Sequence, residues 1–160
     1  MKLQEAKTIA EKYLNELRLV CLRAEIAGSI RREKSEVKDI EIVCIPNNDK
    51  LLLYSFIVNQ WKKIKGEPLG KYTQRLLPEG INLDLFIVNE QNWGLQFAIR
   101  TGSAEFSHKV LACGWVKAGY HSKEGILYKG EEITFVPEEK DLFEIIGIDY
   151  IEPKFRNLEK

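Results

Sequence analysis

From Lys2 to Leu19, the apolar residues Leu3, Ala6, Ile9, Ala10, Tyr13, Leu14 and Leu17 recur every three or four positions with lysine and glutamate between them. That period predicts an amphipathic helix packed on a core. Leu22 to Ala27 then reads as a short strand that delivers a turn at Gly28-Ser29, and Asp39 to Ile45 as a second strand in which acids alternate with Ile40, Ile42 and Cys44. Pro46-Asn47-Asn48-Asp49 ends that strand, Leu51 to Trp61 reads as a helix covering the sheet, and Ile64 to Gly70 as a turn-rich connector. Tyr72 to Leu77 and Ile81 to Val88 are predicted to form a hairpin through Pro78-Glu79-Gly80.

Near Asn89 to Asn92 the pattern changes from sheet to helix. A helix is predicted from there to Thr101-Gly102, and a second one capped by Ser103 and stopped at Gly114. Short strands follow at Val116 to Tyr120, Gly125 to Tyr128 and Glu132 to Val136, with turns at His121 to Glu124 and Lys129-Gly130, before a last helix from Glu139 to Ile146 closed by Gly147. The expected class is α+β: a domain over residues 1–90 built on a mixed or antiparallel sheet with helices on one face, and a small α+β domain over 91–160.

At 160 residues the chain can bury one good core or two small ones. No apolar run approaches the length of a membrane span, and the amphipathic start is no secretion signal, so a cytoplasmic protein without a membrane partner is the expectation. Cys21, Cys44 and Cys113 are scattered without metal-binding spacing and read as buried reduced thiols; His108 and His121 read as surface residues. Net charge is zero, but its distribution is uneven. Lys62, Lys63, Lys65, Lys71 and Arg75 crowd one stretch, and Arg100, Lys109, Lys117, Lys123 and Lys129 another, while acids concentrate after Gly130. Such segregation allows a basic groove on a neutral protein.

Candidate chemistry lies in the strands. Side chains two apart on a strand share a face, so Asp39 and Glu41 project together, opposite Ile40, Ile42 and Cys44. In Ile81 to Val88, Asn82 and Asp84 alone interrupt an apolar run and also share a face. Paired beside the first strand, Asp84 would complete a three-carboxylate cluster. Clustered carboxylates raise one another's pKa unless a cation lies among them, and a hard divalent ion with oxygen ligands, most simply Mg2+, resolves the repulsion. Gly28 allows close backbone approach, and the N–H groups after it, with Ser29 and Arg32, offer a cradle for a triphosphate.

Gly28-Ser29-x-Arg31-Arg32, then Asp39-x-Glu41, then Asp84 resembles the nucleotidyltransferase palm of the DNA polymerase beta group, family X. Thr101-Gly102-Ser103 is similar to that family's Thr-Gly-Ser turn, and Lys140 to Gly147 with Tyr150 to Arg156 to its C-terminal signature, so the resemblance runs from about Ala24 to Arg156. It implies a palm over 1–90 and a nucleotide-selection domain over 91–160. The implied activity is DNA-directed DNA polymerisation at short gaps, adding dNMP to a primer 3'-OH in DNA repair, with two Mg2+ ions (Mn2+ as a substitute), gapped or primer-template DNA and dNTP as partners, and a monomer. Asp39, Glu41 and Asp84 would be the catalytic metal ligands. Gly28, Ser29, Arg32, Thr101, Gly102 and Ser103 would bind the nucleotide, and Arg31, Arg100, Ser107 and Lys109 would contact DNA or nucleotide.

Several positions depart from the family pattern. The second acid is Glu41 where Asp is usual, Ile99-Arg100 replace an aromatic pair that excludes a 2'-hydroxyl, and Ser107 and Leu111 stand at minor-groove-reading positions. The lyase domain and helix-hairpin-helix motifs of larger members are not in the sequence, which implies no deoxyribose-phosphate lyase activity and low processivity. Alternative readings are a nucleotidyltransferase acting on a small molecule, RNA or protein, as Asp-x-Glu pairs of antibiotic-modifying enzymes suggest, and a catalytically degenerate DNA-end-binding module.

Overall fold

In a computed structural model describing residues 1–160, the chain divides into two units, Met1–Val88 and Asn89–Lys160. The first is a five-stranded sheet covered by helices. Helix α1 (Leu3–Arg18) buries Ala6, Ala10, Tyr13, Leu14 and Leu17, the stripe its period predicts. Strands β1 (Cys21–Ile26), β2 (Asp39–Pro46), β3 (Lys62–Lys65), β4 (Tyr72–Leu76) and β5 (Asn82–Ile87) stand in the order β1-β2-β5-β4-β3. Only β2 and β5 run parallel; the other neighbours are antiparallel, so the sheet is mixed. Between β1 and β2 lies a single helical turn, α2 (Gly28–Arg31), and after β2 comes α3 (Leu51–Asn59). The core joins the α1 stripe and Tyr54 and Val58 of α3 to Ile40, Ile42, Cys44, Leu83 and Leu85 of the central strands. Tyr13 meets Trp61 edge to face, ring centroids 5.3 Å apart.

The second unit packs α4 (Trp93–Thr101), a helix in three segments and α7 (Glu139–Ile146) around Leu95, Phe106, Leu111, Trp115, Leu127 and Phe143. The middle helix runs as α5 (Ala104–Phe106), a π-helical segment (Ser107–Ala112) and α6 (Cys113–Lys117). Strands β6 (His121–Lys123), β7 (Ile126–Lys129) and β8 (Glu132–Thr134) form a small antiparallel sheet. The α7 helix begins with a reciprocal cap between Glu138 and Asp141 and ends on Gly147 in the left-handed conformation. The chain is α+β throughout, and no helix is long and apolar enough to cross a membrane.

Four local expectations are corrected. Gly28-Ser29 opens α2 rather than forming a bare turn. Residues 62–65, placed partly in a connector, form edge strand β3, whose Lys-Lys-Ile-Lys sequence is exposed and lacks apolar alternation. The middle helix does not stop at Gly114 but continues to Lys117, so no strand covers 116–120. A Cβ at Gly114 would press on Ile146, so this glycine serves packing between helices rather than termination. Strand β6 occupies His121–Lys123, where a turn was predicted. All three cysteines are free; Cys44 is buried, whereas Cys21 and Cys113 are partly exposed. His108 and His121 are exposed.

Candidate active site

The parallel register sets Asp39 opposite Asn82 and Glu41 opposite Asp84. Their neighbours Ile40, Ile42, Leu83 and Leu85 are fully buried in the core, so the three acids emerge together on the opposite face of the sheet. On the other side of β5 the antiparallel register places Gln74 opposite Asp84 and Tyr72 opposite Phe86. Gln74 and Tyr72 therefore share the acids' face.

Asp84 is 8% exposed. The Tyr72 hydroxyl donates to its Oδ1 at 2.6 Å and the Gln74 side-chain amide donates to the same oxygen at 2.8 Å. The carboxyl of Asp39 is pushed above the ordinary carboxylate range, first by burial and then by the charge of Asp84, with Lys38 opposing. The Tyr72 phenol is pushed up by burial, by its bond to Asp84 and by the charges of Asp84, Asp39 and Glu41. One phenol thus feels all three acids.

Glu41 lies against the Gly28 loop. The Ala27 N–H donates to the Glu41 carbonyl at 2.8 Å, tying the loop to β2. Gly28 has φ of +63°, and a Cβ there would overlap the Glu41 carboxylate. The longer acid is accommodated because the residue facing it has no side chain. Ser29, Arg31 and Arg32 follow in and just after α2, all partly exposed.

As a donor set, three carboxylates of which one is perturbed by another suit a hard divalent cation. No three His, Cys, Asp or Glu side chains converge closely enough to hold a metal ion as they stand.

In the second unit the residues of Thr101-Gly102-Ser103 are used by the protein itself. The Thr101 side chain is fully buried. A Cβ at Gly102 would run into the Phe106 ring, so glycine is needed for close packing. The Ser103 hydroxyl accepts from the Phe106 N–H at 3.2 Å and donates to the Leu158 carbonyl at 2.6 Å, while the Ser103 N–H donates to the Arg156 carbonyl. The Ser107 hydroxyl donates to the Ile99 carbonyl at 2.7 Å, and Lys109 pairs with Glu105 at 3.2 Å. Arg100 is exposed at the end of α4. Arg156 is buried against Glu139 at 2.6 Å, its guanidinium 5.2 Å from the Phe143 ring and 5.1 Å from the Tyr150 ring.

Two features escaped the sequence reading. Arg75, counted toward a basic groove, is 2% exposed and donates to Thr73 Oγ1, Asn59 Oδ1 and the carbonyls of Trp61 and Gly66; it braces the loop before β4. Tyr72 and Gln74 are the donors to Asp84. Their place was readable from the hairpin: Leu77 and Ile81 close the Pro78-Glu79-Gly80 turn, and stepping back and forward from them pairs Gln74 with Asp84.

Residues 97–157 match the DNA polymerase beta thumb family. Among solved structures, the polymerase beta of Leishmania infantum, crystallised as a ternary P/T complex, is similar with a TM-score of 0.77 at 16% identity, covering 99% of this chain and 77% of that one. No curated protein is significantly similar in sequence. Residues 97–157 are thus similar in sequence to the DNA polymerase beta thumb, and the chain as a whole has a polymerase beta-like fold.

Proposed function

We propose that this protein is a nucleotidyltransferase of the DNA polymerase class, joining dNMP to the 3'-hydroxyl of a primer at short gaps in DNA. The observation that carries the reading is the register that sets Glu41 opposite Asp84, with Asp39 one step along the same face. Asp39, Glu41 and Asp84 would hold two Mg2+ ions, with Mn2+ able to replace them. When bound, these ions would supply the positive charge that makes the acceptor hydroxyl a better nucleophile and offsets the charge growing on pyrophosphate.

The chain's own residues do the rest. Burial and the donors on Asp84 keep that carboxylate in one orientation on the face where the primer end would lie. Gly28 lets Glu41 reach across the loop, and Ser29 and Arg32 at that loop would contact the triphosphate. Residues 1–90 would act as the palm and 91–160 as the nucleotide-selecting domain, with the Thr101-Gly102 main chain against the sugar. Arg31 and Arg100 would contact DNA or nucleotide. Ser107, bonded to the Ile99 carbonyl, and Lys109, paired with Glu105, are further candidates for the same contacts.

The test is primer extension on gapped DNA with dNTP and Mg2+, comparing the parent with Asp84→Ala. Template-directed incorporation by the parent and its loss in the variant, with melting temperature retained, is expected. Nucleotide transfer to a small acceptor without DNA would favour the second reading, to which the Asp39-x-Glu41 pair lends support. DNA binding with no Mg2+-dependent transfer would refute both catalytic readings.

A further inference from the structure

We infer that Tyr72, together with Gln74, is a positioning residue that presents Asp84 to a divalent cation; the inference rests on the reading of Asp84 as a metal ligand. Both donors act on the same carboxylate oxygen, Oδ1, at 2.6 and 2.8 Å. The terminal torsion of aspartate is soft, so a carboxylate held at no oxygen samples many orientations. Two donors on Oδ1 fix the plane of the group and turn Oδ2 to a defined direction. Neither donor carries charge. A lysine or arginine in either place would neutralise Asp84 and compete with a cation, whereas a phenol and an amide orient it and leave its negative charge intact.

The donors are themselves held. Gln74 is the direct cross-strand partner of Asp84. The Tyr72 ring stacks on Phe86 with centroids 5.0 Å apart and planes 27° from parallel, and the Lys65 ammonium lies 5.4 Å from its centroid. Tyr72 and Phe86 are themselves a cross-strand pair, so strand pairing sets the position of the hydroxyl. Ligand orientation by hydrogen-bonding partners of this kind typically contributes 10- to 100-fold to metal affinity.

The experiment measures Mn2+ affinity of the DNA-free protein by electron paramagnetic resonance, beside steady-state incorporation kinetics. Tyr72→Phe removes one oxygen and keeps the stacked ring. It is expected to weaken Mn2+ binding about 10-fold, to change the Mn2+ line shape, and to lower kcat while KM for dNTP stays within twofold. Gln74→Leu should act in the same direction and the double variant more strongly. In an Asp84→Ala background, Tyr72→Phe should have no further effect on Mn2+ binding, because its action passes through Asp84. If the double variant does not fold, the single Tyr72→Phe decides. The inference is overturned if Tyr72→Phe leaves affinity and kcat at parent values, or weakens Mn2+ equally with and without Asp84. A parent that neither binds Mn2+ nor extends a primer would instead overturn the proposed function, and this inference with it.

Discussion

Gly28→Ala tests whether the close approach of Glu41 to the loop is what the site is built on. Gly28 has φ of +63°, a conformation that costs a residue with a side chain about 1–2 kcal/mol. The new methyl would also displace the Glu41 carboxylate and lie 3.2 Å from the Glu41 Cβ. The carboxylate is the far end of a flexible side chain and can swing away, so the backbone cost should dominate stability. For a unit the size of Met1–Val88, each kcal/mol lowers the melting temperature by about 4–8 °C, so a fall of roughly 4–16 °C is expected. Activity should suffer more, because displacing a reacting group by about 1 Å can cost around 100-fold. Urea denaturation of the single variants and of Gly28→Ala/Glu41→Ala separates the two effects. Without the Glu41 carboxylate, Gly28→Ala should cost only the backbone part, giving a coupling of about 0.5 kcal/mol or more. If Gly28→Ala leaves the urea midpoint unchanged, or costs as much with Glu41 removed as with it present, the contact with Glu41 is not what requires glycine here.

Two further outcomes are expected. Because the folded Asp39 carboxyl sits above its ordinary pKa, the folded state binds that proton more tightly than the unfolded state, and ionised Asp39 lowers stability at neutral pH. That destabilisation is relieved as pH falls through the folded value. Asp39→Asn should therefore raise the melting temperature in chelator at pH 7, with the gap closing as pH falls into the carboxylate range; a lower melting temperature at pH 7 would contradict the clustering. Arg75→Met should destabilise by about 3 kcal/mol, because it takes the Arg75 donor from Thr73 Oγ1, Asn59 Oδ1 and the buried Trp61 carbonyl and one of two donors from the Gly66 carbonyl, and Arg75→Lys should recover only part of the loss. Normal melting with weakened DNA binding would return Arg75 to the groove.

What could be read from the sequence divides by whether the signal is local. The α1 stripe and the acids alternating with Ile40 and Ile42 follow from the period of one element, and they stand as read. The edge strand β3 carries no alternation because its residues are exposed, so pairing with β4 alone makes it a strand. Gly114 looked like a stop, but what it fits is Ile146 from another helix. Arg75 looked like a surface cation because the carbonyls that satisfy it come from a loop whose path no local pattern describes. The Glu41 and Gly28 contact joins a strand to a loop and could not be seen from either.

The acid cluster raises a question of balance, since bringing like charges together opposes folding. Two carboxylates about 4 Å apart would repel by about 1 kcal/mol in a watery dielectric and by several in a more protein-like one, and by less at greater separation. Against this stand Ile40, Ile42, Leu83 and Leu85, each fully buried, and each stabilised by about 1.5–3 kcal/mol by burial. A one-residue slip of β5 would carry Asp84 into the core and Leu83 and Leu85 out to the acids' face. A two-residue slip keeps the faces but breaks the pairing of Leu77 with Ile81 at the hairpin. Burial across the four apolar residues thus outweighs repulsion at the face and fixes the register in which Glu41 stands opposite Asp84. The residues that carry no chemistry hold the charged ones together.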